Sequence, residues 1–154
     1  MNEAPGVQTP VEQAFLDVER EVLTLFRRSR ARAAEVSRLV HPELEAGAYA
    51  LLGFIHDAGR ARVTDVGLHF GVGKATVSRQ IKAIEELGLL RRETDPLDRR
   101  ASLVSLTAEG EERFVRARAE RMARFRSRLE VWDPAELRRF AELLERFNEL
   151  TEGV

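Results

Sequence analysis

Cysteine is absent from the 154-residue chain. That excludes a disulfide framework, a thiolate zinc site and a sensor that works by thiol oxidation. Histidine is scarce, and His41, His56 and His69 form no HxxxH or HxxE pair on one helix face, so no metal ligands are expected. No Ser/His/Asp constellation and no glycine-rich phosphate loop can be read. No catalytic residues are therefore expected, no cofactor, and no enzyme. Long apolar runs are missing too: none approaches the ~18 residues of a membrane span. The stretch from Met1 to Pro10 lacks the basic start and apolar core of a signal peptide. The expectation is a cytoplasmic protein with no membrane partner. Aromatic residues are few, and Tyr49 is the single tyrosine. It reads better as a core residue with a satisfied hydroxyl than as the wall of a ligand pocket.

What the chain has is charge and helical periodicity. It is 44% hydrophobic and 33% charged, with a length that suits one domain. We expect a flexible tail over residues 1–10 and a single domain over 11–154. Net charge is −1, but its distribution is uneven. From Arg60 to Ser102 there are nine Lys/Arg against six Asp/Glu, leaving a surplus of negative charge elsewhere.

The positive segment carries the clearest pattern. Arg62 to Phe70 reads as a short helix and Gly71-Val72-Gly73 as a tight turn. Lys74 to Leu87 reads as a longer helix, with Val77, Ile81, Ile84 and Leu87 on one face. Its other face carries Lys74, Thr76, Ser78, Arg79 and Lys82, all able to bond phosphates or base edges. Two short helices joined by a glycine turn form a helix-turn-helix. Gly88 then stops the helix. Leu89 to Arg92 and Ser102 to Leu106 read as two strands, with turn chemistry at Asp95-Pro96 between them. A hairpin with a basic tip after a recognition helix makes a winged helix. The fold class expected is mainly α (α+β), with the winged helix-turn-helix at about 44–106.

Long helices flank this segment. Thr9, Pro10 and Glu12 form a capping box ahead of a helix ended by His41-Pro42. Val11, Phe15, Val18, Val22 and Leu25 repeat as an a/d seam. The basic run at Arg27, Arg28, Arg30 and Arg32 reads as a solvated face rather than a DNA contact. Glu43 to Asp57 reads as a central second helix, with Gly53 marking a close crossing. Thr107 caps a further helix that tolerates Gly110 in its first turn and carries seven arginines between Glu111 and Val131. Those arginines read as a solvated face before a DNA-facing one. Asp133-Pro134 opens a last helix, on which Leu137, Phe140, Leu144 and Phe147 form a second seam.

In its small-polar helix start, Leu87-Gly88-Leu89, Asp95-Pro96-Leu97-Asp98-Arg99-Arg100 and Leu106-Thr107-Ala108-Glu109-Gly110, the chain resembles the MarR family of bacterial transcription regulators. The flanking helices extend the likeness over most of the chain. Gly67, Leu68 and His69 depart from the family pattern, which has alanine and polar residues there. The resemblance implies a homodimer built from helices at about 11–40 and 108–152, with Phe15, Val18, Leu137, Phe140, Leu144 and Phe147 in the interface. It implies double-stranded DNA as partner, through a pseudo-palindromic operator read by Lys74, Thr76, Ser78, Arg79 and Lys82 and by a wing of Asp98, Arg99 and Arg100. On an extended wing, Asp98 would hold the Arg100 guanidinium in a fork as it enters the narrow minor groove, while Arg99 meets a phosphate. It also implies a small-molecule effector in a pocket lined by the first, second and fifth helices, near Phe26, Tyr49, Phe54 and Arg118. With no cysteine, that effector binds without a covalent bond. The function expected is a dimeric sequence-specific repressor released by a small ligand. The alternative is an architectural DNA-binding or protein-interaction winged-helix protein without ligand sensing.

Overall fold

A computed structural model describes residues 9–151. The tail expected over residues 1–10 lies outside the described residues, except that Thr9 caps the first helix and Pro10 opens it. The chain divides into two compact units, one closing at Phe114 and the other opening at Val115.

The first unit begins with α1, Pro10–Val40. Its start is the capping box read from sequence: the Glu12 N–H donates to Thr9 Oγ1 at 3.2 Å and the Thr9 N–H donates to Glu12 Oε2 at 2.7 Å. The Thr9 backbone N–H first, and the Thr9 hydroxyl second, hold the Glu12 carboxyl below the ordinary carboxylate range. The helix ends at His41, before Pro42. Helix α2 spans Ala48–Ala58, not Glu43 to Asp57. Leu44 has helical spacing and is buried, but it is buried from a loop. Gly47, at φ 92°, breaks the chain before α2, and the Tyr49 N–H of the first turn donates 3.2 Å to buried Ser37 Oγ on α1. Gly53 does lie at a close approach, to a side chain: a Cβ there would touch the Phe114 ring at 3.4 Å.

A two-residue strand follows, β1 at Ala61–Arg62, so Arg62 lies in a sheet and not in a helix. Helices α3, Val63–Phe70, and α4, Lys74–Glu86, form the helix-turn-helix. Gly71 closes α3 in the left-handed region at φ 62°. Gly67 is buried where the two helices meet, with Val72 O only 3.2 Å from the place a Cβ would take. Strands β2, Leu90–Thr94, and β3, Ser102–Leu106, pair antiparallel, and β1 adds on the other side of β3. Val66, Val77, Ile81, Leu89 and Val104 are buried among these elements with Leu52 and Ile55 of α2.

One joint ties the ends of this segment together. Thr107 Oγ1 donates to Gly88 O at 2.6 Å and accepts from the Gly110 N–H at 3.0 Å, and the Thr107 N–H donates to Leu89 O at 3.1 Å. The first turn of α5, Ala108–Leu129, lies so close to that carbonyl that a Cβ on Gly110 would come within 2.0 Å of it. Glycine is required at position 110, not merely tolerated. His56 Nδ1 meets Glu111 Oε1 at 2.9 Å, and Phe114 packs on Tyr49 and His56, which fastens the same turn to α2.

The second unit holds the rest of α5 and α6, Pro134–Thr151. Asp133 caps α6 by accepting the Ala135 N–H at 2.6 Å, and Glu136 Oε2 accepts the Asp133 N–H at 3.0 Å. On α5, Arg113 pairs with Glu109 and Arg124 with Glu120 along the helix, which suits the reading of a solvated charged face. Phe140 and Leu144 of the expected seam are exposed, and Leu137 and Phe147 are half-buried. Among the described residues no helix is long and apolar enough to cross a membrane.

Candidate nucleic-acid interface

The core fixes how α4 presents its polar side chains. Buried Val77, Ile81 and Ile84 define the inward direction. At about 100° per residue, Arg79 and Ala75 then point opposite to the core, with Lys82 beside them. Thr76 and Ser78 lie about 100° to either side of Val77 and are half-buried, while Arg79 and Lys82 on the outward side are exposed. Lys74 lies about 60° from Val77 and is exposed because it opens the helix. The five side chains therefore form an exposed centre with two polar flanks. Toward the end of the helix Glu86 shares the outward face and pairs with Lys82 at 3.7 Å. The positive part of α4 is thus its first two turns, where the small Ala75 permits close approach. Unbonded amides at that end favour phosphate oxygens.

The wing is built differently from the extended tip expected. Residues 95–101 form a chain of turns. Asp95 Oδ1 accepts the Leu97 N–H at 2.8 Å, the Asp95 N–H donates to Ala101 O at 3.0 Å, and the Ala101 N–H donates to Asp98 O at 2.8 Å. Asp98 Oδ1 accepts the Arg100 backbone N–H at 3.0 Å. The fork expected between Asp98 and the Arg100 guanidinium does not form, because the segment is turned and the carboxylate caps the turn instead. Arg99 and Arg100 are exposed. Among the described residues neither is in an ion pair, nor are Lys74 and Arg79.

One anchor of the wing was invisible in the sequence. Arg62 on β1 donates to Asp95 Oδ2 from Nε at 2.8 Å and from Nη2 at 2.7 Å, across 33 residues of chain. Asp95 is buried, yet the Leu97 N–H and the Arg62 guanidinium hold its carboxyl below the ordinary carboxylate range. Arg92 on β2 pairs with Glu85 on α4 at 3.2 Å, so wing and α4 share a further tie. The Asp-Pro turn could be read from sequence; the partner of its carboxylate could not.

A cavity of about 380 Å³ lies behind α4, lined in part by Leu44, Ala48, Gln80, Ala83, Ile84 and Leu87. Phe26, Tyr49, Phe54 and Arg118 do not line it. Phe26 is exposed, Tyr49 packs on Phe114, and Phe54 stacks on His69 with ring centroids 4.3 Å apart. Among the described residues no group of three His, Asp or Glu side chains could hold a metal ion.

Comparison with known proteins decides the family. Residues 44–101 match the model of the MarR family. The chain is 34% identical to the HTH-type transcriptional regulator YxaD of Bacillus subtilis (strain 168), over 92% of this chain and 94% of that one. The chain belongs to the MarR family. Its family and relatives are transcription regulators rather than enzymes. Two solved structures share the fold. FabT of Streptococcus pneumoniae, in complex with DNA, has a TM-score of 0.78 at 15% identity, covering 90% of this chain and 97% of that one. AbsC, a MarR family transcriptional regulator from Streptomyces coelicolor, has a TM-score of 0.71 at 24% identity, covering 97% of this chain and all of that one (100%). This MarR-family chain thus has a winged-helix fold, mostly helical with a small antiparallel sheet of three strands.

Proposed function

We propose that this MarR-family regulator is a cytoplasmic homodimer that binds a pseudo-palindromic DNA operator and represses transcription until a small molecule releases it. The observation that carries the reading is the pairing of two exposed cationic surfaces on one rigid unit. Lys74 and Arg79 stand on the first turns of α4 and Arg99 and Arg100 on the wing, all outside ion pairs among the described residues. Cations left without protein partners are available to phosphates. Thr76 and Ser78 on the flanks of α4 add hydrogen bonds, and Lys82 exchanges Glu86 for a phosphate. The DNA in the FabT complex supports the same partner here.

Dimerisation rests on the exposed seams. Phe15 and Val18 on α1, and Phe140 and Leu144 on α6, leave large apolar side chains in water. Burying each contributes roughly 1.5–3 kcal/mol. A twofold pair then sets two recognition helices about one DNA turn apart. The cavity behind α4, of a size that suits a small molecule, supports the effector half of the reading.

Selection of binding sites from random duplex DNA tests the core of the proposal. A palindrome with half-sites about one helical turn apart is the expected product. Recovery of no common sequence would leave a non-specific or architectural binder instead.

A further inference from the structure

Leu97 stands at the tip of the wing with 90% of its surface exposed, the highest value among the large apolar residues described. A lone exposed leucine is ordinary. This one is unusual in its support. Its N–H is bonded to Asp95 Oδ1, and Asp95 is buried and held by two N–H groups of Arg62. Two further bonds, Asp95 N–H to Ala101 O and Arg100 N–H to Asp98 Oδ1, close the turn around it. An apolar side chain is thus held in water on a fixed platform, where it adds nothing to the core. Two exposed arginines, Arg99 and Arg100, stand within three residues of it. Cations beside a rigid apolar tip suit one surface above others: a nucleic-acid groove, with phosphates at its walls and sugar and base faces on its floor.

We propose that Leu97 is an apolar wedge that enters the minor groove beside each half-site and partly unstacks one base step, selecting sequence by deformability. This rests on the DNA-binding reading above. Arg99 neutralises a flanking phosphate and Arg100 lies in the groove beside the leucine, whose side chain occupies space that stacked bases would fill. Pyrimidine–purine steps open most easily, so the wing favours TpA or CpA over ApA at that position. The preference arises without any hydrogen bond to a base edge.

The test uses the full chain and the operator recovered by selection, with the step under the wing written as TpA or as ApA. Affinity is measured by fluorescence anisotropy and bending by energy transfer between labelled duplex ends. Leu97 packs on nothing that the fold needs, so Leu97→Ala should keep the wild-type melting temperature. The expected result is a loss of roughly tenfold on the TpA duplex, little change on the ApA duplex, and a smaller bend. Leu97→Met should restore most of both, and the salt dependence of binding should not move in either variant. Equal affinity of wild type and Leu97→Ala on both duplexes overturns the wedge while leaving the DNA-binding reading intact. So does a loss that sedimentation traces to dissociation of protomers, which would make Leu97 a protein contact. Wild-type protein that binds no duplex at all overturns the reading and the wedge together.

Discussion

Helices α4 and α6 carry apolar stripes of the same period, yet the stripes meet different fates. On α4, Val77, Ile81 and Ile84 vanish into the core of the first unit. On α6, Phe140 and Leu144 remain exposed, as do Phe15 and Val18 at the start of α1. Periodicity states that a face is to be buried; it does not state by what. The first unit has a sheet, two crossing helices and a glycine joint to cover α4. Phe15, Val18, Phe140 and Leu144 of the terminal stripes have no such cover; in the proposed dimer a second copy would supply it. The fold of the first unit should therefore depend on local fit, and the assembly on the terminal stripes.

The largest effect expected is on the joint. Gly110→Ala drives a Cβ into Leu89 O and should destabilise the fold by about 3 kcal/mol or more, read as a lower urea midpoint. Gly73→Ser is the control, because φ there is negative, a Cβ would meet open space and serine serves the N-cap of α4 at least as well as glycine; its unfolding free energy should fall by no more than about 0.5 kcal/mol. Next comes the terminal stripe. Leu144→Glu should weaken protomer association by about 2 kcal/mol or more without unfolding the first unit. Sedimentation across micromolar concentrations reads the association, and a wild-type monomer under those conditions would break the comparison.

The outward face of α4 should give smaller changes that leave the fold alone. Arg79→Ala is expected to cost ~1–3 kcal/mol of operator binding and relax preference at one base pair. Arg99→Ala should weaken all duplexes alike and flatten the salt slope by about one unit. A substitution at Asp98 separates the turn seen from the ion pair expected. If its carboxylate caps the turn, Asp98→Asn keeps most operator affinity and Asp98→Ala loses it; if it orients Arg100 by charge, both lose it alike.

The smallest effect is acid sensitivity from Asp95. Its carboxyl lies below the ordinary range because the Leu97 N–H, and then Arg62, favour the ionised form. A depressed folded value means the stabilisation is complete above the unfolded value near ~3.9 and fades as pH falls through the folded one. Urea midpoints followed down through that range should fall for the wild type and fall less for Asp95→Asn.

What could be read in the sequence was what local chemistry fixes. Thr9 and Asp133 cap their helices, Gly71 and Gly88 end theirs at positive φ, and Val77, Ile81 and Ile84 of the α4 stripe are buried as their spacing requires, while Leu87, the C-cap, is half-buried. What could not be read depends on residues far apart. β1 is two residues long and exists only because β3 pairs with it. Arg62 meets Asp95 and Gly110 meets Leu89 through tertiary closure. The start of α2 moved from Glu43 to Ala48 because the periodic Leu44 fills a hydrophobic site from a loop. Of the interface, the exposure of Lys74, Arg79, Lys82, Arg99 and Arg100 follows the reading, while the use of the Asp98 carboxylate does not.

The bonds of the wing tip have a practical corollary. Residues 95–101 are closed by their own contacts, from Asp95 to Leu97 and Ala101 and from Asp98 to Arg100, and Arg62 is their anchor from outside the hairpin. The tip is therefore a transplantable cassette. Moving these seven positions between relatives, together with the residue at position 62, should exchange wing preference while leaving recognition by α4 with the host. Moving the loop without its arginine would transfer the letters and lose the shape.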